Sequence, residues 1–313
     1  MSADIPVFGR DPKEPQLELK PHMDSDGEHL SALPVRDYEA ALQHVNQFYL
    51  DNHTNHTYEA TRRLWEAYAS PEVRTLQASM WDMLVAVGEF YDASDPDVED
   101  PQIVHAFQSA ESARLNGQPE WMQATVLVHD VGKVLATNLL PGRDALPQWA
   151  VVGDTFPLGV ELDDRIVLSK YFHAQPPVPE SDDPLLRQGW PGNPDVNNSD
   201  YNTKLGVYEK GVGLDNLTVS FGHDEYLFQV LDGNCKLPGN ALRMIRFHSL
   251  YPIHTAGAYD DLLSNRDRDI LKGVRHFNQF DLYSKVEEKP DIAALIPYYQ
   301  DLVKEYFPEP LNW

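Results

Sequence analysis

Cysteine is almost missing from these 313 residues: Cys235 stands alone, so neither an internal disulfide nor a thiolate zinc site can form. Basic residues are scarce as well. Twenty-five lysines and arginines face 49 aspartates and glutamates, a formal net charge of -24, and the mean field therefore repels nucleic acid and anionic membrane surfaces. Apolar runs are short, as in Thr125 to Val128, well under the roughly 18 residues that a membrane span needs. The first thirty residues hold no basic start followed by an apolar stretch. These absences predict a reducing, cytoplasmic protein with neither nucleic acid nor membrane as a partner, and a monomer is the default expectation. Nucleotide and serine-hydrolase motifs are missing too. There is no Walker loop, Gly211-Val212-Gly213-Leu214 meets Asn216 where a dinucleotide fingerprint needs its third glycine, and no Gly-x-Ser-x-Gly elbow occurs.

What is present is a helical pattern with enough apolar content, 42%, for a sizeable core. Residues 1–31 are polar and proline-punctuated, which predicts a mobile tail ahead of a single domain over 32–313. Apolar residues at three- and four-residue spacing predict helices over Tyr38–Tyr49 and Thr57–Tyr68, and Pro71 opens a third to about Phe90. Pro101 reads as the first helical residue of a segment through Leu115, stopped by Asn116 and Gly117, and a second helix runs from about Pro119 to Leu135. Ala150–Val160 reads as a short extended stretch, and the six prolines within Gln175–Asn202 as a solvent loop. Helices return at His223–Leu231, Pro238–Leu250, Asp267–Asn278 and Asp291–Tyr306. The fold class is all-α with a minor short-strand element.

Six side chains in this pattern have metal-ligand chemistry: His105, His129, Asp130, His223, His248 and Asp281. Imidazoles and carboxylates without thiolate suit a dinuclear site for iron, manganese, nickel or cobalt. Their spacing matters more than their identity. His105 and His129 lie equally far on either side of Gly117, so antiparallel helices put them at one level, each roughly 18 Å from the turn at about 1.5 Å rise per residue. His223 and His248 repeat the symmetry about Cys235 and Lys236. Asp130 points about 100° away from His129 and could bridge two ions, while Asp281 could complete the first site. Either His-Asp dipeptide, His129-Asp130 or His223-Asp224, is weak by itself. The paired geometry carries the reading, because burying His and Asp in the apolar run from Val126 to Val134 costs several kcal/mol without metal or hydrogen bonds. Lys133 shares the face of His129, which predicts an ammonium near metal cations and a lowered lysine pKa; Lys285 repeats the spacing beyond Asp281. His173, His254 and His276 read as core or surface residues.

The ligand order His, His-Asp, His, His, Asp resembles the His-Asp (HD) metal-dependent superfamily, most of whose members hydrolyse phosphoesters, and implies an HD-like helical bundle. Longer strings are similar to one family within it, the myo-inositol oxygenases: Ser94-Asp95-Pro96-Asp97, His105-Ala106-Phe107-Gln108, His129 through Ala136, Gln148 through Pro157, Gly222 through Tyr226, Met244 through Ser249, and Phe280 through Tyr283. The resemblance covers residues 34 to 313. It implies a non-haem di-iron enzyme that opens the myo-inositol ring with O2 to give D-glucuronate, using two iron ions per subunit as a mixed-valent Fe(II)/Fe(III) pair. By motif match His105, His129 and Asp281 would hold one iron, His223 and His248 the other, and Asp130 would bridge. The substrate would meet Arg36, Asp92, Ala93, Ser94, Lys133, Gly153, Asp154, His248, Ser249 and Lys285, with Lys133 and Asp130 catalytic. Segments 138–146 and 175–202 are longer than expected for animal members. A phosphohydrolase on the same scaffold, with Lys133 on the phosphate, is the alternative, although few arginines stand near the ligands to clamp a phosphate. A regulatory module without turnover would be expected to have lost ligands or the Lys133 and Lys285 pair, and the sequence retains them all.

Overall fold

Proline decides where the central helices begin. In the computed structural model, which describes residues 43–94, 100–282, 290–307 and 310–313, Pro101, Pro119 and Pro238 each occupy the cap position before a helix, with φ of -66°, -63° and -64°. A ring-locked φ and a missing N–H cost nothing there, since the first helical amides lack intrahelical partners anyway. Pro101 thus sits one position earlier than its sequence reading. The expected tail over 1–31, Arg36, the start of the first helix and Lys285 lie outside the described residues.

The chain runs through α1 (Gln43–Asn55) and α2 (Tyr58–Leu64), whose cap Thr57 accepts from Ala60 N–H through its hydroxyl. The helix expected from Pro71 to Phe90 does not form as one piece. A 3-10 turn at Pro71–Val73 ends at extended Arg74, the strand β1 (Gln77–Ala78) follows, and only then does Ser79 cap α3 (Met80–Ala86). The reason is tertiary: β1 pairs antiparallel with β2 (Leu311–Asn312), and Trp313 exchanges backbone hydrogen bonds with Leu76, so the chain end claims this segment's amides.

Next come α4 (Gln102–Leu115) and α5 (Glu120–Val128), joined through Gly117, whose φ of 65° is a left-handed turn that glycine adopts without strain. The short α6 (Pro184–Gln188) lies in the proline-rich stretch, which is not simply a solvent loop. Its Asn193 is buried, and its amide donates to the carbonyls of His53 and His56, tying the stretch to the end of α1. The extended reading of Ala150–Val160 is met only by an isolated bridge between Pro157 and Val219. The remaining helices are α7 (His223–Leu231), α8 (Gly239–Phe247), α9 (Tyr251–His254), α10 (Asp267–Leu282) and α11 (Ile292–Tyr306).

α5 is buried on nearly every side from Met122 to Val128, as a helix that is apolar all round should be. It packs against α4, α8, α10 and α11. Ala113, Met122, Val126, Met244, Phe277 and Phe280 form an apolar cluster where α4, α5, α8 and α10 meet, with the Phe277 ring against His129 and His248. No helix among the described residues is long and apolar enough to cross a membrane.

Candidate metal centre

Helix periodicity does not carry through the His129-Asp130 pair. α5 stops at Val128, His129 is its cap, Asp130 has φ -95° and ψ 0°, and Val131–Ala136 winds as a 3-10 turn instead of extending the helix to Leu135. This break turns Asp130 toward the axis between two hairpins. Its Oδ1 faces His223 Nε2 at 3.0 Å and His248 Nε2 at 3.8 Å, while its Oδ2 lies 3.6 Å from His105 Nε2 and 3.4 Å from His129 Nε2. Asp281, from the last turn of α10, places Oδ1 3.0 Å from His105 Nε2 and 3.3 Å from His129 Nε2. The equal spacing about Gly117 is realised with His105 and His129 ring centroids 5.4 Å apart, and that of the second hairpin with His223 and His248 centroids 5.0 Å apart.

Three of the imidazoles are held by their far nitrogens. Nδ1 of His129, His223 and His248 lies 2.7–2.8 Å from the carbonyls of Val126, Val151 and Ile245. A carbonyl only accepts, so each Nδ1 carries a proton and each Nε2 is the nitrogen turned toward the centre, able to coordinate an ion once it is deprotonated. His223 Nε2 and His248 Nε2 are 3.1 Å apart, a spacing that suits either a shared proton or one cation bound by both. Two imidazoles at right angles on one ion, with bonds of about 2.1 Å, would sit about 3 Å apart. The donor set therefore fits metal. Two groups of ligand atoms, His105/His129/Asp130 and Asp130/His223/His248, each lie within 4.8 Å of one another and share Asp130.

Electrostatics set His129 apart from His248. Burial pushes His129 down, but Asp130 and Asp281 outweigh it and raise it to about 9. His248 falls to about 3, because burial and its neighbours His129 and His223 prevail over the carboxylates. Both aspartates sit well below the usual carboxylate range, where the surrounding imidazoles overcome the opposing effect of burial. The expected fall of the Lys133 pKa is not found. Burial does press it down, but the carboxylates of Asp130 and Asp92 lie 2.9 and 2.8 Å from Nζ and raise it.

The pocket over this cluster brings together Asp92, Ser94, Lys133, Gly153, Asp154, His248 and Ser249. Asp92 Oδ1 accepts from both the amide and the hydroxyl of Ser94, leaving Oδ2 to Lys133. Gly153 lines the pocket at φ 88°, and a side chain there would meet the Phe48 ring at 2.9 Å. Ala93 does not line the pocket; its amide donates to Gln148 Oε1 and so fixes the loop that carries Asp92. Sequence reading missed Gln102, Asp100 and Tyr251 in the lining, Tyr49, whose hydroxyl donates to Asp154 Oδ1, and Asn278, whose amide donates to the His248 carbonyl. Only Gln102 carried a signal, since it precedes His105 by three residues and shares its face of α4.

Fold and site together describe a helical protein with a His/Asp centre suited to two metal ions. The comparisons narrow that class. The family model described as myo-inositol oxygenase matches residues 42–313, and the chain belongs to that family. It is 42% identical over 284 residues to Inositol oxygenase 2 of Arabidopsis thaliana, covering 89% of this chain and 82% of the relative. It is 38% identical to the Inositol oxygenase of Dictyostelium discoideum, covering 89% of each, and 37% identical to that of Mus musculus, covering 96% of this chain and 98% of the relative.

Proposed function

We propose that this protein cleaves the ring of myo-inositol with O2 to give D-glucuronate, holding two iron ions per chain as a mixed-valent Fe(II)/Fe(III) pair. His105, His129 and Asp281 would hold one ion, His223 and His248 the other, and Asp130 would bridge them. The observation that carries the reading is Asp130, with one carboxylate oxygen facing each histidine pair. When bound, the metal pair supplies Lewis acidity and the electron transfers that let dioxygen react with an unactivated alcohol. The chain's own part is to bind, orient and shield. Asp92, Ser94, Asp154 and Ser249 offer short acceptors and donors that match a ring bearing a hydroxyl on every carbon. Lys133, buried and protonated, is placed to neutralise a substrate oxygen as it loses its proton. Arg36 and Lys285 are proposed to complete the polyol site, and Asp130 and Lys133 to be its catalytic residues.

The apolar cluster running from Val45 to Trp313 supports reading 32–313 as one catalytic domain. A cytoplasmic setting accords with the single, half-buried Cys235, whose thiol burial pushes up to about 11. The phosphohydrolase reading is not favoured: the family match points to the oxygenase, and among the described residues no arginine lines the pocket. The deciding experiment measures iron content, then oxygen uptake with myo-inositol and, in parallel, phosphate release from a phosphate ester. Inositol-dependent uptake without phosphate release is the expected result; the reverse would overturn the proposal.

A further inference from the structure

Gln102 touches both charged groups that the proposed mechanism depends on, and no role has been given to it. It opens α4 one turn before His105, with 5% of its surface exposed. Its Nε2 donates to Asp130 Oδ2 at 2.7 Å, and its Oε1 accepts from Lys133 Nζ at 3.0 Å. Lys133 also donates to Asp130 Oδ2 and lies 2.8 Å from Asp92 Oδ2, so the three acceptors account for all three ammonium protons. The three residues form a closed triangle of hydrogen bonds. A primary amide suits this position because one end must give to a carboxylate while the other takes from an ammonium. Flipping the amide would set oxygen against carboxylate and NH2 against ammonium, so its orientation is dictated by its neighbours.

We infer that Gln102 is a positioning residue for the centre, an inference that rests on the metal reading above. A carboxylate bridging two histidine pairs must hold its plane, since rotation about Cβ–Cγ would withdraw Oδ1 from His223 and Oδ2 from His129 together. The Gln102 amide pins Oδ2 and so sets that rotation. Its carbonyl gives Lys133 a neutral acceptor in place of a third carboxylate, leaving one ammonium proton held weakly enough to be redirected to a substrate oxygen. The same helical face therefore delivers the ligand His105 and the group that orients the shared ligand. Residues that orient a metal ligand in this way commonly alter metal affinity or activity about 10–100-fold when replaced.

The test uses Gln102→Met, which keeps length and volume but neither donates nor accepts comparably. Iron retained during a chelator challenge, kcat and KM for myo-inositol, and the helical circular-dichroism spectrum are compared with the wild type. The expected result is a folded protein that loses iron about 10-fold faster or more and has a lowered kcat. A double-mutant cycle with Lys133→Met separates positioning from packing. If Gln102 acts through Lys133, its effect on kcat shrinks in the Lys133→Met background while the retention defect persists. Should Gln102→Met fail to fold, Gln102→Asn keeps the amide but is too short to span both partners, and the same defects are expected. Wild-type retention and kcat in the folded variant, or fully additive effects in the cycle, would overturn the inference while leaving the oxygenase reading intact. A wild-type protein with neither iron nor inositol-dependent oxygen uptake would instead overturn that reading.

Discussion

The hairpin of α4 and α5 and the hairpin of α7 and α8 approach Asp130 from opposite sides with the same histidine spacing, but they are balanced differently. His105 and His129 face two carboxylates, Asp130 and Asp281, whereas among the described residues His223 and His248 share only Asp130 Oδ1. His129 and His248 have ring centroids 5.0 Å apart, yet one is raised to about 9 and the other lowered to about 3. The difference shows that symmetry of sequence spacing does not make symmetric halves. In the proposed reading the first half is filled by protein and neutralised by it. The second keeps room for substrate oxygens and lies beside Ser249 and Asp154.

The comparison can be broken outright at Asp130. Asp130→Ala removes the group common to both halves, and iron per chain should fall to background with a loss of turnover beyond the roughly 10–100-fold seen when outlying partners are replaced; an active variant still holding two irons would refute the bridge. Replacing Lys133 tests chemistry apart from metal. Lys133→Met should keep its iron while turnover drops about 100-fold or more, and unchanged kcat would remove the lysine from the mechanism. Asp281→Asn sharpens the asymmetry, since it should empty the first half preferentially and leave about one ion per chain, where His248→Ala should empty the second; elemental analysis of both variants checks this.

Acid titration of the centre has a background that lies elsewhere. His53 and His56 are buried and lowered to about 4 and about 3, chiefly by burial. Between the ordinary value of 6.5 and those lowered values the unfolded chain binds more protons, so stability is full above pH 6.5 and falls as the solution is acidified toward 4. Roughly 2 kcal/mol per histidine should be lost between pH 7 and 5, and the urea midpoint of His53→Gln should be less steep in that range. The smallest effect is expected at Arg246, which pairs with Glu225 at 2.6 Å and stacks over Phe228, two residues from His248 just as Glu225 is two residues from His223. Arg246→Met should cost about 2 kcal/mol and lower the melting temperature by about 3 °C, with iron in the second half affected more than in the first.

Much of this centre was legible because hairpin geometry is. Equal spacing about Gly117 and about Cys235–Lys236 is enough to pair four histidines, and the boundaries of α7 agree with the apolar pattern of His223–Leu231. What the pattern hides is decided by contacts distant in sequence. Trp313 and β2 break the expected helix after Pro71, Asn193 draws a proline-rich stretch onto α1, and the 3-10 turn after His129 is marked only by Gly132 within an apolar run. Gln102 shares the face of His105, but that signal is weak, because a glutamine in a first turn is ordinary until Asp130 and Lys133 are seen beside it.

Gly132 draws out one last consequence. A β-carbon at this position would lie 2.0 Å from the carbonyl oxygen of His223, so the backbone of the first hairpin rests directly on that of the second. The gap across the centre is therefore a main-chain dimension, one that no choice of rotamer can widen or narrow. Anyone grafting these six ligands onto another bundle would need to transplant that bare junction as well, because a scaffold with even a methyl group there would hold its two binding halves too far apart to share a carboxylate.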